Sequence, residues 1–163
     1  MSIGEHPAGL KTLFLTEMWE RMSFYGMRGI LVLFMTASLL EGGLEIDAVS
    51  ASAVYGIYSS SVYLVALLGG WLADRHIGQQ KAILYGGFII MIGHFLLAFT
   101  SIETFYLGLI MVVLGTGLLK PNISAIVGSL YDKNSDDKEA GFTIFYITIP
   151  NSIFEVSCFL FEK

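Results

Sequence analysis

A run of charged residues lies inside a long apolar segment near the start of the chain. Two carboxylates and two guanidinium groups share this run, at Glu17, Glu20, Arg21 and Arg28. A charged side chain at the centre of a bilayer costs roughly 2.5–3.5 kcal/mol, so four unpaired charges would cost about 10 kcal/mol. That cost is comparable with the whole stability of a domain. Such a helix is stable only when its charges face water or one another, a pattern typical of transport machinery.

The overall composition indicates a membrane protein. Hydrophobic residues make up 55% of the chain, charged residues only 14%, and the mean hydropathy is +0.69, whereas soluble domains carry about 25% charged residues. The net charge of −5 comes without a basic patch, which argues against a nucleic-acid partner. The sequence contains no zinc-ligand cluster, nucleophile elbow or phosphate-binding glycine loop, so it predicts neither an enzyme nor a bound metal or cofactor.

Four apolar segments can each supply the roughly 20 residues that a spanning helix requires. They run from about 12 to 40, 51 to 73, 82 to 100 and 105 to 131. A fifth apolar stretch begins near Phe142 and is interrupted by Pro150. A spanning backbone must satisfy its own polar groups, so these segments are predicted to be helices.

The charges between these segments predict an orientation. On one side lie basic residues, namely Lys11, Arg75, Lys81, Lys133 and Lys138. The loops on the other side carry only acidic charges, namely Glu41, Glu45, Asp47 and Glu103. Because basic loops stay in the cytoplasm, the N-terminus is predicted to be cytoplasmic.

The charged run of the first segment forms one stripe if the segment is helical. At 3.6 residues per turn, Glu17, Arg21, Phe24 or Tyr25, and Arg28 share a face, with Glu20 beside Arg21. We expect this stripe to face the interior of a helix bundle. The alternative is a static ion pair between residues 17 and 21 that only fixes helix packing.

A lysine deep in the fourth segment is the second key position. Lys120 precedes Pro121, which lacks a backbone donor and predicts a local kink. A kinked helix that bears a lysine suits a cavity wall, and the alternative is a lysine that reaches for the membrane interface. The tyrosines at Tyr25, Tyr55, Tyr58 and Tyr63 could line a cavity with their hydroxyl groups or serve in packing. The glycines Gly86, Gly87 and Gly93 are expected to permit close helix packing, and His94 is expected to be a structural residue rather than a proton relay.

The junction between the second and third segments is a separate signal. It runs from Gly69 to Lys81 and contains adjacent Asp74 and Arg75. Its charges can form a network that breaks and reforms as helices move. A plain cytoplasmic turn with flanking charges is the alternative.

These motifs together resemble the proton-coupled oligopeptide transporter family of the major facilitator superfamily. The run from Glu17 to Arg28 is similar to the family's first-helix signature, and Gly117 to Ser124 to its fourth-helix motif. The stretch from Gly70 to Lys81 resembles the superfamily's loop motif, and Gly141 to Tyr146 the start of the fifth helix. The sequence departs from the pattern at Phe24, where a tyrosine is common, so one hydroxyl group is lost. It departs again at 65–66, where Thr-Pro is frequent.

The resemblance implies a symporter of di- and tripeptides with the proton as coupling ion. Proton coupling is assigned to Glu17, Glu20 and Arg21. Substrate binding is assigned to Arg21, Tyr25, Arg28, Tyr63, Lys120 and Asn122, with Arg28 and Lys120 receiving the peptide carboxylate. Gating is assigned to the loop motif at Gly70, Asp74, Arg75, Gly78 and Lys81. We further hypothesise that Lys120 pairs with the two glutamates and that their protonation frees it for substrate.

The resemblance also implies an all-α membrane fold and a larger protein. Residues 1–146 are expected to form four transmembrane helices plus the start of a fifth, part of an N-terminal six-helix bundle. Residues 147–163 depart from the family pattern, and a truncation or frameshift is the expected explanation. The expected partners are di- and tripeptides, the lipid bilayer and the missing C-terminal half, in a bacterial inner membrane. Two alternatives remain open, a non-transporting membrane fragment and a small four-helix exporter that acts as a homo-oligomer.

Overall fold

The computed structural model describes residues 8–131 and 141–143, and this part of the chain is helical without strands. The helices are α1 (Ala8–Thr36), α2 (Ala48–Leu72), α3 (Gln79–Leu97) and α4 (Ile102–Ser129). A 3₁₀ turn covers Leu39–Glu41, a π-helical turn covers Ala73–Ile77, and residues 141–143 are helical. The four predicted helices are thus confirmed, and the residues predicted to form the atypical tail lie outside the described part.

Three of the described helices are long and apolar enough to cross a membrane. They are the α2 region Ala48–Ile77 together with α3 and α4. Helix α1 has 29 residues, which is long enough, but its charges set its composition apart. The feature that separates α1 from the other helices is therefore the charged stripe.

The loop after α1 folds back onto the last carbonyl groups of that helix. The backbone N–H groups of Leu44, Glu45 and Ile46 donate to the carbonyls of residues 34, 37 and 35. Helix ends leave such carbonyls without partners inside the helix. The positive φ angles of Gly42 (82°) and Glu45 (52°) make this reversal possible. The loop therefore satisfies the end of α1 with its own backbone.

Helix α2 begins at a side-chain cap. The Asp47 carboxylate accepts hydrogen bonds from the backbone N–H groups of Val49 (3.1 Å) and Ser50 (3.0 Å), an arrangement favoured at helix starts. Hydrogen bonding from Ser50, through its side chain and its backbone, lowers the pKa of Asp47 below its usual value. The cap explains why α2 starts before the apolar segment does.

The described residues fall into two compact units. The first contains residues 8–29, 124–131 and 141–143, and the second contains residues 30–123. In the first unit, Gly141 lies so close to the Tyr131 ring that a side chain at 141 would not fit. This contact fixes the start of the fifth helical segment against the end of α4.

In the second unit, α3 and α4 meet along a line of glycines. A Cβ atom at Gly86 would lie 2.7 Å from the carbonyl oxygen of Gly115, and one at Gly93 would lie 3.0 Å from that of Gly108. The partners on each helix are seven residues apart, so they lie on one face of it. We call these four glycines the glycine seam. Small residues that let backbones approach are the usual basis of helix association in membranes, so the predicted packing role of Gly86 and Gly93 is confirmed.

Helices α2 and α4 meet at a second close contact in the same unit. Gly69 leaves no room for a side chain against the backbone of Gly117, and Pro121 packs beside Gly70. Helix α4 continues through Pro121, whose missing N–H cannot bond to the Gly117 carbonyl. The two backbones can approach at Gly69 and Gly117 because neither of these residues carries a side chain.

Candidate functional site

The charged stripe of α1 is buried. Glu17 is 2% exposed and Glu20 is 6% exposed, and the side chain of Arg21 is 12% exposed. The helical geometry of α1 places these residues on adjacent positions of one face, as the sequence predicted. Buried carboxylates are rare in proteins unless they are paired, so the pairing of each charge decides what this face can do.

One ion pair holds part of the stripe. Arg21 Nη2 lies 2.5 Å from Glu17 Oε1, four residues back on the same helix. The other carboxylate oxygen, Glu17 Oε2, and the Arg21 Nε atom are buried without hydrogen-bond partners in the described part of the chain. The structure thus contains the ion pair that the packing alternative required.

The second carboxylate lies one turn along the same face. Glu20 is buried, and its backbone carbonyl accepts a hydrogen bond from the Ser23 hydroxyl (3.0 Å). The charged stripe therefore places a second buried carboxylate one turn along the helix from Glu17, which is paired with Arg21.

The next turn of α1 presents a guanidinium group on an aromatic ring. The Arg28 Cζ atom lies 5.4 Å from the centre of the Phe24 ring, and the Phe24 ring meets the Tyr25 ring edge to face at 5.7 Å. This distance is within the range of a cation–π contact. Sequence reasoning treated Phe24 only as the loss of a hydroxyl group, and it missed this contact.

The predicted substrate residues of α4 lie in the second unit. Lys120 is half-buried, and Asn122 is buried. The Asn122 side-chain amide donates to the carbonyl of Leu118 (2.6 Å) and, more weakly, to that of Gly69 (3.5 Å). The bond to the Gly69 carbonyl links α4 to α2, so Asn122 has a packing role, and its substrate role stays a prediction.

The tyrosines of α2 have different surroundings. Tyr63 is 75% exposed, whereas Tyr58 is buried. Between α2 and α4 lies a groove of about 380 Å³ whose lining residues are mostly aliphatic and also include Tyr58, Ser61 and Tyr106. Sequence reasoning did not identify this groove, because the spacing of tyrosines on one helix does not reveal which helix lies opposite.

The loop motif forms a tight connection between α2 and α3. Gly78 has a φ of 84°, and its N–H donates to the Ala73 carbonyl at 2.8 Å. Asp74 accepts a hydrogen bond from Gln79 (3.1 Å), and Asp74, Arg75 and Lys81 are exposed. Within the described part of the chain these three charges form no ion pair with one another, so the gating network stays a prediction.

The chain matches known transporters over most of its length. The sequence profile of the POT family (PTR2) matches residues 80–151. The peptide transporter YePEPT of Yersinia enterocolitica is 48% identical over 147 residues, which cover 88% of this chain and 29% of that protein. The chain belongs to the POT family.

Further POT relatives extend this result. A di-/tripeptide transporter of Lactococcus lactis is 44% identical over 146 residues, 88% of this chain and 29% of that protein. The crystal structure of a POT family transporter in complex with a thioalcohol-conjugated peptide has a TM-score of 0.91 and 38% identity, and the match covers 95% of this chain and 32% of that one. The prediction of an all-α membrane fold is confirmed by this likeness. The chain spans about 30% of the length of these relatives.

Proposed function

We propose that this chain provides the proton-coupling region, and part of the substrate-binding region, of a symporter of di- and tripeptides. The observation that carries the proposal is the buried pair of Glu17 and Arg21 with buried Glu20 beside it. An ionisable cluster within a membrane segment is expensive and marks proton or substrate pathways. The names of the relatives, which are peptide transporters, support peptides as the substrate.

In this proposal the two carboxylates exchange the coupling proton. Glu17 Oε2 has no hydrogen-bond partner in the described chain, so a proton can be added there while Oε1 keeps its contact with Arg21. Protonation of either carboxylate leaves excess positive charge on the stripe. That charge is compensated when an anionic group enters, and the carboxylate of a peptide is such a group.

The positive groups that receive the peptide carboxylate are Arg28 and Lys120. Arg28 is half-buried and is oriented by the Phe24 ring, and Lys120 is half-buried on α4. Tyr25 and Tyr63 supply hydroxyl groups for the peptide backbone. Protons are the coupling ion, and no other cofactor or enzymatic step is part of the proposal. The site of action is the bacterial inner membrane, with the N-terminus in the cytoplasm.

The proposal is tested with a chimera, because relatives of the chain are about three times its length. The 147 matched residues replace the equivalent part of the Yersinia transporter, in cells that lack their own peptide uptake. We expect uptake of a labelled dipeptide that depends on an inward proton gradient. The 163-residue chain expressed alone is measured in parallel. Transport by it would contradict the non-transporting fragment and favour a chain that works without the rest of a relative, as the homo-oligomer alternative requires.

Two variants of the chimera separate coupling from binding. Glu20→Gln should reduce gradient-driven uptake by at least tenfold but leave counterflow of substrate, because only the proton step is removed. Lys120→Ala should reduce both, because the carboxylate contact is lost. Glu103→Gln and Lys11→Ala are the matched controls, since both residues are exposed. Normal gradient-driven uptake by Glu20→Gln would contradict the coupling role.

A further inference from the structure

The turn between α2 and α3 carries an aromatic ring flanked by two basic groups. Trp71 is 55% exposed. The Arg75 Cζ atom lies 5.8 Å from the centre of its ring, and the His76 ring meets it edge to face, also at 5.8 Å. The π-helical turn Ala73–Ile77 brings positions 75 and 76 back to the tryptophan. We call Trp71, Arg75 and His76, together with the exposed Lys81 in the first turn of α3, the Trp71 cluster.

The length of the span places the Trp71 cluster at the depth of lipid headgroups. The region Ala48–Ile77 has 30 residues, and at 1.5 Å per residue it is about 45 Å long. The hydrocarbon core of a bilayer is about 30 Å thick, and the headgroup layers bring the total to about 40–45 Å. A helix that begins at the Asp47 cap in one headgroup layer therefore reaches the opposite headgroup layer in its last turns.

Within the described chain, the basic groups of the Trp71 cluster form no ion pair with the adjacent Asp74 carboxylate. Asp74 is occupied by the Gln79 amide at 3.1 Å. Arg75, His76 and Lys81 are exposed, and the described residues offer no ion pair to any of them. No hydrogen bond or ion pair within the described residues uses the Arg75 guanidinium, so its N–H groups can bind an acceptor.

We propose that the Trp71 cluster binds the phosphodiester group of an anionic phospholipid. A planar guanidinium donates two parallel hydrogen bonds to phosphate oxygens. A tryptophan is stable at the headgroup level, where its apolar body meets the acyl chains. We assign the phosphate to a lipid because the tryptophan ring and its position at headgroup depth both fit a lipid. A soluble anion would make use of neither. The proposal does not rest on the peptide symport proposed above.

The test uses the fluorescence of Trp71 in the full chain reconstituted in bilayers. The chain has two tryptophans, so Trp19→Phe leaves Trp71 as the only reporter. Brominated phosphatidylglycerol is mixed into unlabelled phosphatidylcholine, and the reverse mixture is measured as a reference. Attraction by one basic residue near an anionic surface is worth a factor of about five. We expect phosphatidylglycerol to be enriched at Trp71 by about fivefold or more over its bulk fraction.

Variants that remove a positive charge and a variant that removes a negative charge should change the phosphatidylglycerol enrichment in opposite directions. Arg75→Gln should lower the enrichment by about fivefold, Arg75→Lys should retain part of it, and Asp74→Asn should raise it. Lys11→Gln, a basic residue far along the sequence, is the control and should change nothing. If Arg75→Gln fails to keep the helical content of the parent chain, Lys81→Gln serves as the charge variant.

Two results would overturn the proposal. The first is equal quenching of Trp71 by brominated phosphatidylglycerol and brominated phosphatidylcholine in the parent chain, since the Trp71 cluster would then have no preference for a phospholipid with net negative charge. The second comes from adding inorganic phosphate at constant ionic strength. Displacement of brominated phosphatidylglycerol by millimolar phosphate would show a site for a soluble anion instead of a lipid. Enrichment that survives phosphate and falls in Arg75→Gln supports the lipid site.

Discussion

The charged stripe of α1 and the glycine seam of α3 and α4 are two opposite ways to build a buried surface. The seam brings two backbones together by removing side chains, and each glycine meets a carbonyl of the opposite helix. The stripe instead buries Glu17 and Glu20 with a guanidinium group. Replacing a buried ion pair with apolar residues is often neutral or stabilising. Stability thus explains the seam but not the stripe, so the stripe is where function is expected.

The largest expected effect comes from breaking the ion pair of the stripe. Glu17→Ala leaves the Arg21 guanidinium buried without its carboxylate, and removing one partner of a buried pair costs about 3–5 kcal/mol. We expect this loss in the free energy of unfolding of the chain in detergent micelles. The measurement is denaturant unfolding followed by the loss of helical circular dichroism.

A double-mutant cycle sharpens this result. If the pair is the cause, Glu17→Leu combined with Arg21→Leu should cost less than the sum of the two single changes. Lys11→Ala, an exposed charge on the same helix, should have little effect. Additive single costs would mean that the two residues do not act as a pair.

An intermediate effect is expected at the glycine seam. A Cβ atom at Gly115 would lie 2.6 Å from the carbonyl oxygen of Gly86, so Gly115→Ala must push the two helices apart. Overpacking of this kind costs about 1–3 kcal/mol, measured by the same unfolding experiment. Gly56 is the matched control, because a Cβ atom there meets nothing within 4 Å. Gly56→Ala should stabilise α2 by up to about 1 kcal/mol. If both alanine substitutions change the free energy of unfolding in the same direction, the close packing of the seam is contradicted.

The smallest effect is expected outside both regions, at the Asp47 cap of α2. The hydrogen bonds from Ser50 lower the pKa of this carboxyl in the folded state. The stability it provides is therefore present above the unfolded-state pKa, near 3.8, and is lost as the pH falls through the lower folded-state pKa. Asp47→Asn keeps an acceptor for the cap but removes the charge, so it should cause a small fall in Tm at neutral pH. The difference from the parent chain should vanish in acid, and a difference that persists there would exclude the charge as its cause.

The hydropathy of the sequence located all four helices, but it predicted the start of each helix a few residues too late. The second apolar segment was predicted from about residue 51, whereas α2 starts at Ala48 because Asp47 caps it. The third was predicted from about residue 82, whereas α3 starts at Gln79, directly after Gly78. Apolar runs mark the part of a helix inside the hydrocarbon layer. Caps and turns mark the backbone start, which can be polar.

The charged face of α1 could be predicted because it depends only on helical spacing within one element. The partners of the seam glycines could not, because the register between two helices is a tertiary property that no spacing along one of them contains. The same holds for Asn122, whose amide bonds to a carbonyl 53 positions away. The contact of Arg28 with Phe24 could have been predicted, since the two residues lie one turn apart on α1. The interpretation of Phe24 considered the missing hydroxyl group and not the aromatic ring as a partner for the guanidinium.

The loop that folds back on α1 has a consequence for how the polypeptide enters a membrane. If α1 spans the membrane and the N-terminus is cytoplasmic, as the sequence predicts, the connection between α1 and α2 must cross the hydrocarbon layer and leave it on the far side. Here the carbonyls at the end of α1 already have backbone donors from residues 44–46. What remains to be hydrated after translocation is chiefly three carboxylates, at Glu41, Glu45 and Asp47. The short connection can therefore cross with the carbonyl groups at the end of α1 already hydrogen-bonded. On the far side, the groups that chiefly need hydration are its carboxylates.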